Sequence, residues 1–177
     1  MKETIVISAF PACGKSYMCK NFNGKPYTML DSDSSKFSWI YDENGNKTDV
    51  RNPNFIEDYI NHIKENIGKV DVIFVSSHKE VRKALLDNNI DHSIILPGLE
   101  MKDEMLRRMK ERGNDEKFIK FQSDHYEEFI KEIYNDLETY VDNHILLILL
   151  SDRFPYINNS MISAIFQKDT MYLYDEF

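Results

Sequence analysis

The chain has 177 residues and a mass of 21.0 kDa, one domain's worth of polypeptide with enough length for a single continuous core. Apolar residues make up 42% and charged residues 29%, a globular balance and not a disordered one. Lys and Arg total 22 against 30 Asp and Glu, and the formal charge of −8 disfavours long nucleic acid and anionic membrane as partners. A small anion is compatible with this balance if the positive field that holds it is local.

Cys13 and Cys19 are too few for a disulfide framework or a metal cluster and read as reduced thiols. The N-terminal segment lacks the apolar core and cleavage site of a secretion signal, and the apolar run 145–150 is too short to span a bilayer. The expected location is the cytoplasm.

In chain order, the β-branched run 4–8 predicts a buried strand, and the turn-rich segment 11–14 leads into a helix over 15–21. Residues 27–30 predict a second strand, followed by a polar stretch with Trp39 and a turn over 43–46. Asn52 as cap and Pro53 at the first helical position predict a helix to residue 67, stopped by Gly68. Residues 70–75 predict the third strand. Ser77 and Glu80 have capping-box spacing and open a helix to about residue 88. Strand 92–96, helix 101–112, a long helix through Tyr126, Ile133 and Val141, and strand 144–150 complete the series. One short amphipathic element is expected after Pro155. Alternating strands and helices predict an α/β fold with a parallel sheet covered on both faces, in a single domain over 1–177.

The strongest chemical signal is Ala9-Phe-Pro-Ala-Cys-Gly14-Lys15-Ser16, a P-loop with Ala at the first glycine position. Such a loop needs a strand that ends in a tight turn with its backbone N–H groups converging on one concavity, followed by a helix whose N-terminus adds positive potential. Ala12, Cys13, Gly14, Lys15, Ser16 and Tyr17 are the expected ATP-phosphate-binding residues. Gly14 lets the backbone approach, Lys15 reaches the β and γ phosphates, and Ser16 holds Mg²⁺. Cys13 reads as a small loop filler more readily than as a redox group.

Asp31 and Asp33 fall at the end of the second strand, where ligands bind in doubly wound sheets. Asp33 is a candidate base for an acceptor hydroxyl or a Mg²⁺ partner beside Ser16; Asp31-Ser-Asp-Ser-Ser also reads as a turn and cap cluster. Three of the six arginines lie within 107–112. At about 100° per residue, Arg108 and Arg112 flank the stripe Met101, Met105, Met109 and face the protein body, with Arg107 opposite. Arg108 and Arg112 are therefore candidates to neutralise a transferring phosphoryl group, against a reading in which they pair with carboxylates. Arg51 and His78 are weaker candidates for the acceptor side, Trp39 for stacking, and Arg153 for the neighbourhood of a base.

This constellation resembles the nucleoside monophosphate kinase-like superfamily of P-loop kinases, and is similar to the small P-loop kinases carried by phages of low-GC bacteria. The layout matches over nearly the whole chain, while the specific motifs cover the P-loop, Asp31 and Asp33, and the arginine segment. The resemblance implies a three-layer P-loop NTPase fold with a five-stranded parallel sheet in the order 2-3-1-4-5. It also implies a helical lid over about 100–122 that closes on ATP. Two departures concern the acceptor: neither a Gly-rich segment of the shikimate kinase type nor an Asp-Gly-Phe-Pro type segment follows the third strand, where this chain has Val75-Ser-Ser-His78. The expected activity is ATP- and Mg²⁺-dependent transfer to a small acceptor, foremost a (deoxy)nucleoside monophosphate. A hydroxyl acceptor, either a polynucleotide 5′-hydroxyl or a small metabolite with Asp33 as base, is the alternative. A nucleotide-dependent switch or binding module is the alternative of another class.

Overall fold

Short β-branched runs form the centre of the molecule. The computed structural model describes residues 3–136, 139 and 145–167. Strands β1 (Ile5–Ala9), β2 (Met29–Asp31), β5 (Val72–Ser76), β6 (His92–Pro97) and β7 (Leu147–Leu150) form one parallel sheet in the order β2-β5-β1-β6-β7. An antiparallel hairpin, β3 (Trp39–Tyr41) with β4 (Lys47–Arg51), stands apart from it. The order therefore departs in detail from the expected 2-3-1-4-5. The hairpin adds two strand numbers between the second and third strands of the sheet, whose spatial succession is unaffected. Its strands are short and mostly exposed, so they carry no buried run to announce them.

The helices are α1 (Lys15–Phe22), α2 (Phe55–Asn66), α3 (Lys79–Asp87), α4 (Lys102–Glu111), α5 (Glu116–Asn135) and α6 (Asn159–Gln167). Successive side chains of a strand point to opposite faces. Val6, Ile73 and Val75 accordingly pack with Tyr59, Ile63, Val81 and Leu85 of α2 and α3. Ile7, Val72 and Phe74 pack on the other face with Met18, Met105, Met109, Tyr126 and Ile162, from α1, α4, α5 and α6. The expected α/β architecture with helices on both faces is thus the observed one. No helix among the described residues is long and apolar enough to cross a membrane.

Two helix starts differ from expectation. Asn52 does not cap α2. Its Oδ1 accepts from Asn54 N at 3.0 Å and its Nδ2 reaches Phe37 O and Asp58 Oδ2, so it closes a local turn and the helix begins at Phe55. Ser77 does not cap α3 either; it is buried, and its carbonyl accepts from Arg82 Nη1. His78 takes the cap position without a side-chain bond. The long helix through Tyr126 begins at Glu116, where Asp115 caps it by accepting from Phe118 N at 2.8 Å. Leu137, Tyr140, Val141 and His144 lie outside the described residues.

The sheet edge that matters most is fastened by Tyr59. Its hydroxyl donates to Ser32 O at 2.5 Å and accepts from Ser76 N at 3.2 Å, joining the segment after β2 to the end of β5. Burial pushes the phenol up to about 12, so it stays a neutral donor. Replacing Tyr59 by Phe leaves both backbone groups without that partner. The expected loss is about 1–3 kcal/mol in urea unfolding, and unchanged stability would show that the bridge is replaceable by water.

Candidate phosphate-binding site

β1 lies in the middle of the sheet, and the chain must turn from its end into α1. Two residues of the turn take left-handed backbone, Ala12 at φ 64° and Gly14 at φ 108°. A Cβ on Gly14 would find ordinary space, with Tyr156 Cδ1 at 3.6 Å; the constraint there is the dihedral and not crowding. The turn leaves two carbonyls facing inward. Lys15 Nζ donates to both, to Ala9 O at 2.6 Å and to Phe10 O at 3.0 Å. Burial pushes the Lys15 ammonium below its ordinary value. Asp31 and Asp33 oppose that shift and Arg112 reinforces it, so these charged groups surround one ammonium.

Ser16 begins the exposed face of α1, and its hydroxyl donates to Asp31 Oδ2 at 2.5 Å. The carboxylate that meets the P-loop serine is therefore that of Asp31. Asp33, expected beside Ser16, is exposed, and its Oδ1 accepts from Ser35 N at 2.9 Å as the cap of a 3₁₀ turn. Tyr17 is exposed and tilts against Phe22, with ring centroids 6.0 Å apart. Cys13 is fully buried, and burial raises its thiol to about 12, which removes any nucleophilic role at neutral pH.

The arginines of α4 divide by position. Arg107 points outward and pairs with Glu104 and Glu111. Arg108 is only 7% exposed and turns inward as its phase requires. Its Nε donates to Glu104 Oε1 at 2.7 Å, and its Nη1 to Pro155 O at 2.7 Å and Ala12 O at 3.4 Å. Its guanidinium carbon lies 3.7 Å from the centre of the Tyr156 ring. One nitrogen, Nη2, is buried without a partner. Arg112 ends the helix as its C-cap and is exposed instead of facing the body, with Nε on Asn114 Oδ1 at 3.1 Å. The segment expected as a lid packs through Met101, Met105 and Met109, all buried in the core.

Residues 155–157 form a brace that sequence reasoning missed. Ile157 N donates to Cys13 O at 3.1 Å, while Pro155 and Tyr156 hold Arg108. A Pro-Tyr-Ile run after the last strand carries no chemical signature, so nothing in it signalled this contact.

A cavity of about 350 Å³ opens beside Phe10 and Pro11, with Arg51, Phe55, His78, Phe121 and Gln122 in its wall. Arg51 leaves β4 and stacks on Trp39, 4.6 Å from the ring centre, with Lys47 at 4.2 Å. Trp39 thus serves the hairpin cations. His78 keeps much of its surface open, yet the surrounding protein pushes its imidazole below the ordinary value; Glu80 opposes this, and Lys15, Arg51 and Arg82 reinforce it. Arg153 lies over Phe154, 5.3 Å from its ring centre.

No family model matches the sequence, and no curated protein matches it. Among solved structures, the chain is similar to a gluconokinase from Sinorhizobium meliloti 1021, at 13% identity and a TM-score of 0.48, with 98% of each chain covered. A likeness of that size assigns neither an activity nor an acceptor.

The division between the two arginines is measurable. Arg108→Met strips Ala12 O and Pro155 O of their donor and is expected to cost about 1–3 kcal/mol in urea unfolding, whereas exposed Arg112→Met is expected to stay within about 0.5 kcal/mol of wild type. Equal losses for the two variants would contradict the bracing role of Arg108.

Proposed function

We propose that the chain is an ATP-dependent phosphotransferase that moves the γ-phosphoryl group to a small acceptor, a (deoxy)nucleoside monophosphate. The observation that carries this reading is the turn after β1. There a left-handed Gly14, a lysine ammonium resting on two loop carbonyls, and a serine hydroxyl against Asp31 meet at the carboxyl edge of a parallel sheet. Neutral carbonyls are weaker partners for an ammonium than phosphate oxygens, so an incoming polyphosphate would draw Lys15 away from Ala9 and Phe10. The free amides at the start of α1 then face the same anion.

The residues present fit Mg²⁺. Ser16 and Asp31 supply two hard oxygen ligands side by side, and no cluster of three or more His, Cys, Asp or Glu stands among the described residues, so phosphate oxygens and water would complete the shell. When bound, the ion would offset phosphate charge. The chain's own residues do the rest. Lys15 holds the phosphates in line. Arg112, exposed and electrostatically coupled to Lys15, neutralises charge on the transferring group. Arg108 fixes the loop and offers its unpartnered Nη2 to the same site. Arg51 and His78 at the cavity beside Phe10 receive the acceptor's anionic end.

One observation favours a second reading, transfer to a hydroxyl. Asp33 is exposed and near enough to act on Lys15, and this placement suits a base.

ADP formation measured against a panel of nucleoside monophosphates, sugars and 5′-hydroxyl oligonucleotides separates the readings. Turnover with a monophosphate is expected, with Lys15→Met lowering it by about 10²–10³. Asp33→Asn is expected to keep it within about threefold, whereas a hydroxyl kinase would lose about 10²–10⁴. If ATP turns over no faster with any acceptor than without one, the phosphotransferase reading fails.

A further inference from the structure

The cavity beside Phe10 holds a feature that the phosphate chemistry leaves unused. Gln122 lies on α5 between Phe118 and Tyr126, on the stripe that faces the core, and is only 4% exposed. Its Oε1 is buried without a hydrogen-bond partner. A buried carbonyl oxygen left unsatisfied is costly, and a native protein keeps one where something else completes it. Gln122 belongs to the cavity wall, so the missing donor has a place from which to come.

The rest of the wall defines the donor's surroundings. Phe10, Phe55, Phe121 and Phe129 give the cavity aromatic walls. Such walls accept the face of a planar ring. A cavity of about 350 Å³ falls at the small end of ligand sites, the size of one ring with a sugar phosphate. Charge at the rim comes from Arg51 and Lys79, with Glu80 opposing; Arg82 is turned to Glu132 and Asp136.

We propose that Gln122 is the specificity-determining residue of the acceptor site, its Oε1 accepting a hydrogen bond from a ring N–H of a nucleoside monophosphate held among the four phenylalanines. This inference rests on the phosphotransferase reading with a monophosphate acceptor. No bond is made or broken in it; Gln122 positions the ring so that the acceptor's phosphate lies toward Arg51, His78 and the P-loop.

The test is calorimetric titration of the full chain with the common nucleoside monophosphates, with ribose 5-phosphate and, separately, with Mg·ATP, repeated for Gln122→Met. At least one monophosphate is expected to bind wild type about tenfold or more tightly than ribose 5-phosphate, since the latter has the anion without the ring. Gln122→Met is expected to weaken that monophosphate by roughly ten- to a hundred-fold while leaving Mg·ATP binding unchanged. The variant removes an unsatisfied group, so its thermal midpoint without ligand is expected to equal or exceed that of wild type. A merely structural glutamine would lower it. Equal affinity of wild type and Gln122→Met for the monophosphate, or equal binding of ribose 5-phosphate, overturns the role of Gln122 and leaves the acceptor reading standing. Binding of Mg·ATP with no monophosphate bound overturns both this inference and the monophosphate acceptor. Failure to bind Mg·ATP overturns the phosphotransferase reading itself and this inference with it.

Discussion

A chain that leaves the middle of a parallel sheet and reverses into a helix must find partners for the carbonyls it turns inward. Here the partners of the turn after β1 are cations. Lys15 serves Ala9 and Phe10 from within the loop, and Arg108 serves Ala12 from α4. The rest of the site follows from that arrangement. A turn held by charged donors is one that an anion can reorganise, because the same donors bond phosphate oxygens more strongly. Left-handed Gly14 and buried Cys13 keep the loop's path fixed while the ammonium is free to change partners.

The overall negative charge sharpens this picture. An acidic surface repels anions in general, and the cations that could receive one gather at a single edge of the sheet. Lys15, Arg51 and Arg82 all act on His78 there, and Arg112 acts on Lys15. Not every cation at this edge serves a ligand. Arg82 is buried against Glu132 and Asp136 and secures α3 to α5. Arg108 is shared, since three of its contacts are internal and one nitrogen is left over. The field a substrate meets is therefore shaped by which arginines the fold has already engaged.

Much of this could be read in the sequence, for local reasons. The β-branched runs, the Gly14-Lys15-Ser16 turn and the methionine stripe each declare themselves within a few residues, and the sheet and the phosphate loop follow from them. Long-range contacts do not declare themselves. The sequence pattern places Asp33 beside Ser16, but the 3₁₀ turn takes an oxygen of Asp33 for Ser35 and it is Asp31 that faces the hydroxyl. Arg112 had the helical phase of an inward residue, but the helix ends there and the side chain stays with Asn114. The 155–157 brace and the hairpin lack periodicity or charge pattern. Gln122 did carry a legible signal, a lone polar residue on the stripe Phe118, Tyr126, Ile130 and Ile133.

The central claim concerns where the γ-phosphoryl group goes. ³¹P NMR of the protein with Mg·ATP and a mixture of nucleoside monophosphates observes that destination directly. The account predicts loss of the ATP γ resonance with matching growth of nucleoside diphosphate signals from both donor and acceptor. Growth of inorganic phosphate alone, or an unchanged ATP spectrum at every acceptor, would contradict it.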